Sequence, residues 1–185
     1  MRIVAFGNQR QVGKNLAAQL LTTNLQIHYP TLRVKSVGFA DKLYFVCSDL
    51  FGFPSKSFYE ANPQEKEREC IFNTDLSVRR VLELVGTYMR EIDPEVWIKR
   101  VIPKEELDIL FITDLRFDNE ANYLRDNFDT LLVHIIRKTG LPPCTSDIGI
   151  SDYTGWLEIE NNGTKREYND LLMQELFKEL TKNVL

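Results

Sequence analysis

At 185 residues the chain is long enough for one domain with a single core, and 43% hydrophobic and 27% charged residues are the composition expected of a soluble globular protein and not of a disordered one. A net charge of −4 gives no general reason to expect nucleic acid or an anionic membrane as partner, so an anion has to be bound in a local basic pocket. Cys47, Cys70 and Cys144 are widely spaced with no C-x-x-C pair, which reads as reduced thiols in a cytosolic protein and implies no metal–thiolate site; the opening MRIVAFGNQR has too short an apolar core for a signal peptide, and no apolar run reaches membrane-spanning length.

Residues 2–6, RIVAF, form a short β-forming apolar run closed by Gly7, as in a buried parallel strand. A polar loop follows and ends in Gly13-Lys14, where Leu16, Ala17, Leu20, Leu21, Leu25 and Ile27 begin to recur at helical spacing as far as His28; Pro30 ends the pattern. Strand, glycine-bounded loop and helix in that order are the layout of a phosphate-binding loop. Backbone N–H groups and the positive end of the helix dipole converge on one spot, and Lys14 adds a full charge. The pattern G-x-x-x-x-G-K-[ST] is met irregularly: Gly7 stands six residues before Gly13, and Asn15 follows Lys14 in place of a hydroxyl. Either the loop carries one extra residue or Asn8, which tolerates left-handed geometry, takes the first glycine's place.

A second strand is expected from Arg33 to Phe39, completing a βαβ unit, and a helix over 39–53 with Asp41 near its start and Gly52 beyond its end. Residues 54–75 are polar, carry Pro54, Pro63 and the charge run EKERE, and suit a mobile excursion with a solvated face. Over 76–90 a helix is expected with Val78, Val81, Leu82, Val85, Tyr88 and Met89 on one face. Arg79, Glu83, Gly86 and Arg90 share another stripe, since eleven residues make about three turns, and Gly86 leaves that stripe open to close approach. Asp93-Pro94 then starts a short helix carrying Trp97.

DILFITD, 108–114, is an apolar strand closing on Asp114, followed by a helix capped by Asp118 or Asn119. TLLVHIIR, 130–137, is another apolar strand, ending on Arg137. A long Gly/Pro/Ser/Asp loop leads to a strand at 156–161, an Asn162-Gly163 turn, and a final helix over about 165–182 presenting Tyr168, Leu172, Leu176 and Leu180. The expected architecture is an α/β domain of about five mostly parallel strands with ligand at their carboxyl ends.

Those ends carry Lys14 with the loop amides, Asp114 with Arg116, and Arg137. A strand ending in Asp beside a P-loop suits Mg²⁺ held through its water shell. Arginines suit phosphates because the planar fork binds two oxygens at once. Arg116 and Glu120 also stand at the spacing of an ordinary helix pair, and Trp97 reads equally as a core aromatic or a base-stacking one. If the attacking group is itself an ionised phosphate oxygen, no general base is needed. His28 and His134, on a helix end and inside an apolar strand, read as packing or surface residues.

Five segments, the strand and loop through GKN, RRVLELVGTYMREIDPEVWIKR, TDLRFDNEA, HIIRKTGLPP and, more weakly, EIENNGT, resemble in order the deoxynucleoside monophosphate kinases encoded by bacteriophages, members of the P-loop kinase superfamily. The resemblance implies a three-layer P-loop fold over 1–185, with an acceptor-binding excursion near 54–75 and a lid-like loop near 138–155. It implies transfer of the γ-phosphate of ATP, with Mg²⁺, to a deoxynucleoside monophosphate, and a homodimer in the host cytoplasm. By position it puts Gly7, Asn8, Gly13, Lys14, Asn15 and Arg137 at ATP. Arg79, Arg90, Trp97, Asp114 and Arg116 fall at the acceptor or transferring group, and Asn15 and Asp114 at the metal. Where the family shows Gly-Lys-Asp-Thr this chain has Gly13-Lys14-Asn15-Leu16, so altered metal affinity is expected. Two other readings stay open: a P-loop kinase for another small acceptor, and a catalytically weak nucleotide-binding regulator.

Overall fold

The computed structural model describes residues 1–7, 9–68, 75–140 and 149–182. The chain divides into two compact units, Met1–Val37 with Lys104–Leu185, and Gly38–Pro103. In the first unit, β1 (Arg2–Gly7), β2 (Val34–Val37), β3 (Ile109–Leu115), β4 (Asp129–Ile136) and β5 (Leu157–Glu160) form one sheet in the order β2-β3-β1-β4-β5. Every pairing is parallel.

Near-continuous apolar runs in β1, β3 and β4 mean that both faces of the sheet need covering. On one face Val4, Phe6, Phe111, Val133 and Ile135 pack with Ala17, Leu21 and Leu25 of α1 (Lys14–His28) and with Tyr168, Leu172, Leu176 and Leu180. Ile3, Ala5, Leu110 and Ile112 on the other face are equally buried, as are Ala121 and Leu124 of α7 (Asp118–Asn127), which packs on β4. The result is a three-layer α/β fold of the P-loop kind. Ile27, expected on the buried stripe of α1, is 68% exposed because two residues past the buried Leu25 is about 200° around the helix, on the opposite face.

The C-terminal stripe of Tyr168, Leu172, Leu176 and Leu180 runs through α8 (Lys165–Leu172), a π-helical turn (Met173–Phe177) and α9 (Lys178–Thr181). A four-residue repeat drifts about 40° per step on an ordinary helix. The wider π turn offsets that drift and keeps all four side chains in the core.

The second unit is helical. It holds α2 (Phe39–Phe51), α3 (Lys56–Ala61), α4 (Glu65–Arg68), α5 (Val78–Ile92) and α6 (Ile98–Val101) around Tyr44, Cys47, Phe53, Tyr59, Val78, Val81 and Leu82. Strand β2 stops at Val37, short of the expected Phe39, because Gly38 donates its N–H to Asp41 Oδ2 at 2.6 Å and opens α2. Gly52 ends α2 in left-handed geometry, as its position implied.

Within the polar stretch 54–75, α3 and α4 are helical, and Tyr59 ties α3 into the unit's core edge-on to Phe53. Glu67 of the charge run pairs with Arg79, so that run is more than a solvated face. Tyr88, expected among the apolar face of α5, is 60% exposed. Burial in this unit pushes the Cys47 thiol up to about 11, which keeps it an inert core residue.

Candidate active site

β1 is the central strand, and its carboxyl end opens directly into the loop that leads to Gly13 and Lys14. Gly7 is its last residue, and a side chain there would meet the Trp156 ring at 2.5 Å. Asn8 lies outside the described residues. Gln11 takes a positive φ of 62° and Gly13 one of 106°, so the chain turns left-handed twice before α1 begins. The left-handed Gly13 is the N-cap of α1 and has no side chain to cap it with, and no acidic residue stands in the helix's first turn. The positive end of α1 is therefore not neutralised by a local carboxylate.

Lys14, the first residue of α1, is only 7% exposed, and its ammonium donates to the loop carbonyl of Gln9 at 2.5 Å. The charge is held inside the loop that a phosphate would occupy. Asn15 follows it and is exposed.

Two residues to which the sequence pattern gave no part in the site hold this loop. Asn161, 3% exposed, donates from Nδ2 to the Val12 carbonyl at 2.7 Å. The buried Tyr168 phenol donates to the Gly13 carbonyl at 3.4 Å. Burial pushes the Tyr168 hydroxyl well above its usual range, and the nearby charge of Arg137 opposes that shift. Arg137, exposed just past β4, thus has its charge near the base of the loop.

At the end of β3 the register with β1 breaks: Ala5 pairs with Ile112 and Gly7 with Leu115, so Thr113 and Asp114 together oppose Phe6. Such a bulge re-aims side chains at the end of a strand, and here it falls on Asp114. Arg116 follows in the turn before α7. Glu120, 1% exposed, accepts the backbone N–H groups of Arg116 at 3.0 Å and Phe117 at 3.2 Å.

Glu120 is therefore a buried support for this turn, unlike the member of an exposed helix pair that its spacing allowed. The expected caps of α7 are corrected in the same way: Phe117 occupies the N-cap position. The Asp118 carboxylate accepts the Ser151 hydroxyl at 2.6 Å and the Ser151 N–H at 3.1 Å, fastening residues 149–151 to the start of the helix.

In the helical unit, the guanidinium of Arg79 is ion-paired with Glu67. Arg90 Nη1 donates to the Gly86 carbonyl at 3.2 Å, and Trp97 Nε1 donates to the same oxygen at 3.3 Å. Trp97 is 5% exposed. A Cβ on Gly86 would meet Leu43 of α2 at 3.3 Å, so the close approach that this glycine permits is used by helix packing. His134 stacks on Tyr153 with ring centroids 3.8 Å apart and lies 3.3 Å from Glu158; His28 meets Phe177 edge-on. Both histidines sit in packing contacts.

These features define an α/β protein of the P-loop class. No family model matches the chain. Over 88 residues it is 32% identical to the deoxynucleoside-5'-monophosphate kinase of Escherichia phage T5, a match covering 40% of this chain and 35% of the phage protein. The chain thus spans about a third of that relative's length, and the likeness in aligned sequence is confined to those 88 residues. Among solved structures, a gluconokinase from Sinorhizobium meliloti 1021 aligns over 97% of this chain and 93% of its own, with a TM-score of 0.47 and 11% identity. A protein from Eubacterium ventriosum ATCC 27560 aligns over 95% and 98%, with a TM-score of 0.35 and 13% identity. No described helix is long and apolar enough to cross a membrane.

Proposed function

We propose that the protein is a phosphotransferase, and specifically an ATP- and Mg²⁺-dependent kinase that converts deoxynucleoside monophosphates to diphosphates. The observation that carries this reading is the loop itself: a left-handed Gly13 hands over directly to a helix whose first residue is a buried lysine. The local match to a phage enzyme named for that activity supports the choice of acceptor.

The residues present fit the groups required. Gly13 has no Cβ to fill the phosphate cradle, and Lys14 carries the charge for the β- and γ-phosphates. Lys14 must leave the Gln9 carbonyl to reach them, and a phosphate oxygen replaces that carbonyl as acceptor. Gly7, Asn8, Asn15 and Arg137 complete the ATP side. In this reading Arg79, Arg90 and Trp97 of the helical unit and Asp114 and Arg116 of the sheet unit serve the acceptor phosphate and the transferring group.

Asn15 and Asp114 offer hard oxygen donors suited to Mg²⁺, which when bound supplies charge neutralisation on the phosphates. The arginines hold the two phosphates in line, and the ionised acceptor oxygen attacks without a general base. A homodimer of soluble subunits, acting on free nucleotides and not on nucleic acid, belongs to the same reading.

The test is ADP release followed with ATP, Mg²⁺ and each common deoxynucleoside monophosphate in turn. Turnover is expected only when all three components are present. Lys14→Ala is expected to abolish at least 99% of it, a loss of roughly 3 kcal/mol of transition-state stabilisation, with an unchanged circular dichroism spectrum. Absence of turnover across the whole panel would overturn the acceptor assignment, and turnover with a sugar or other hydroxyl acceptor would replace it.

A further inference from the structure

We infer that Asn161 and Asn162 are positioning residues that lock the phosphate loop and Arg137 to each other; the role rests on the kinase reading above. The two asparagines are consecutive at the end of β5, yet they reach two separate stretches of chain. Asn161 donates its backbone N–H to the Ile136 carbonyl at 2.8 Å, immediately before Arg137. Its buried amide reaches in the other direction, donating to the Val12 carbonyl at 2.7 Å across 149 residues of sequence. Asn162 Oδ1 accepts the N–H of Lys138 at 3.1 Å, immediately after Arg137. Both peptide flanks of Arg137 and the carbonyl that precedes Gly13 are therefore held by one dipeptide.

The packing is close as well as polar. A Cβ built on Gly13 would collide with the Asn161 amide nitrogen, so the asparagine lies directly against the left-handed residue of the loop. Tyr168, one turn into α8, adds a hydroxyl on the Gly13 carbonyl.

The two side chains use opposite chemistry, and this gives the proposal its test. Asn161 works as a donor, so an aspartate there would set a carboxylate against the Val12 carbonyl and leave that buried oxygen without its partner. Asn162 works as an acceptor and is exposed, so an aspartate there keeps the bond to Lys138 while an alanine loses it.

The experiment measures the Kd of a non-hydrolysable ATP analogue by calorimetry, and KM for ATP and for the acceptor, in wild type, Asn161→Asp, Asn161→Ala, Asn162→Asp and Asn162→Ala. Expected are a weakening of the ATP analogue by about tenfold or more in both Asn161 variants and a smaller loss in Asn162→Ala. Asn162→Asp should restore near-wild-type binding, and KM for the acceptor should stay within about twofold throughout. A general structural defect would move both substrates and would not be rescued by Asn162→Asp.

Because Asn162 is exposed, its two variants remain informative if the Asn161 variants fail to fold. Wild type that binds the analogue, with Asn162→Ala and any folded Asn161 variant binding equally well, overturns the inference alone. Wild type that binds no ATP analogue overturns the kinase reading and the inference with it.

Discussion

Gly13 combines a φ of 106° with a neighbour, the Asn161 amide, that occupies the place of its missing Cβ. Gly13→Ala therefore incurs backbone strain and a displaced side chain, about 1–3 kcal/mol in all, read as a lower midpoint in urea unfolding together with weakened ATP binding. An unchanged midpoint would mean that the loop relaxes at no cost. Asn15 poses a different question, because it sets a neutral amide where the P-loop pattern has a hydroxyl. Asn15→Ser is expected to lower the Mg²⁺ concentration for half-maximal turnover several-fold, about 2–10 by the usual gain of one oxygen ligand, without altering the melting temperature. A Mg²⁺ titration at saturating ATP checks it, and an unchanged midpoint would show that residue 15 does not serve the metal. Residues such as Gly13 and Lys14 were legible in the sequence because their spacing is a local pattern that dictates local backbone. Asn161 was not, because its partner is 149 residues away and nothing in the string Glu160-Asn161-Asn162-Gly163 tells a turn asparagine from a buried strut.

At the scale of elements, the start of α8 shows how a local cap supports a distant loop. Thr164 caps the helix, and Glu167 three residues on accepts both the N–H of Thr164 at 2.7 Å and its hydroxyl at 2.8 Å. These hydrogen bonds hold the Glu167 carboxyl below its ordinary value of 4.5. A depressed carboxylate stabilises the fold fully above the unfolded value and ceases to do so as pH falls through the folded one. The melting temperature of wild type should therefore exceed that of Glu167→Gln at neutral pH, with the gap closing below pH 4.5. A gap that persists at about pH 3 would assign the effect to something other than the charge. Tyr168 is the next residue, so the same acid range should loosen its hydroxyl from Gly13. Strands and long helices were legible in order and nearly to the residue, since apolar runs and 3.6-residue periodicity are set by the core they enter. The helices within 54–75 were hidden because their sequence is polar and broken by prolines, and a single buried ring, Tyr59, fastens α3 into its core. The cap of α7 was misplaced because the sequence offered Asp118 or Asn119, whereas Phe117 takes the N-cap position and the first turn holds two acids, Asp118 and Glu120. Only the packing of Ser151 and Gly149 beside that turn separates their roles.

For the whole molecule, the two compact units hold different candidate residues: those proposed for ATP all lie in one, and those proposed for the acceptor are divided between both. Gly7, Gly13, Lys14, Asn15 and Arg137, all assigned to ATP, fall in the sheet unit, and so do Asp114 and Arg116; Arg79, Arg90 and Trp97 fall in the helical unit. Each unit has its own apolar core, so each can respond to a ligand through its own local stability. A ligand that binds only the folded form raises the free energy of the openings that would release it. ATP should therefore slow amide exchange in the described loop residues and across α1 and the start of α8, while leaving α5 at its unliganded rate. The acceptor monophosphate should slow exchange in α5, where Arg79 and Arg90 stand, and at the end of β3 near Asp114 and Arg116. Hydrogen exchange read by mass spectrometry with each ligand separately distinguishes the two patterns. Protection of α5 by ATP alone would move Arg79 and Arg90 to the ATP side, and protection confined to the sheet unit by both ligands would remove the helical unit from acceptor binding.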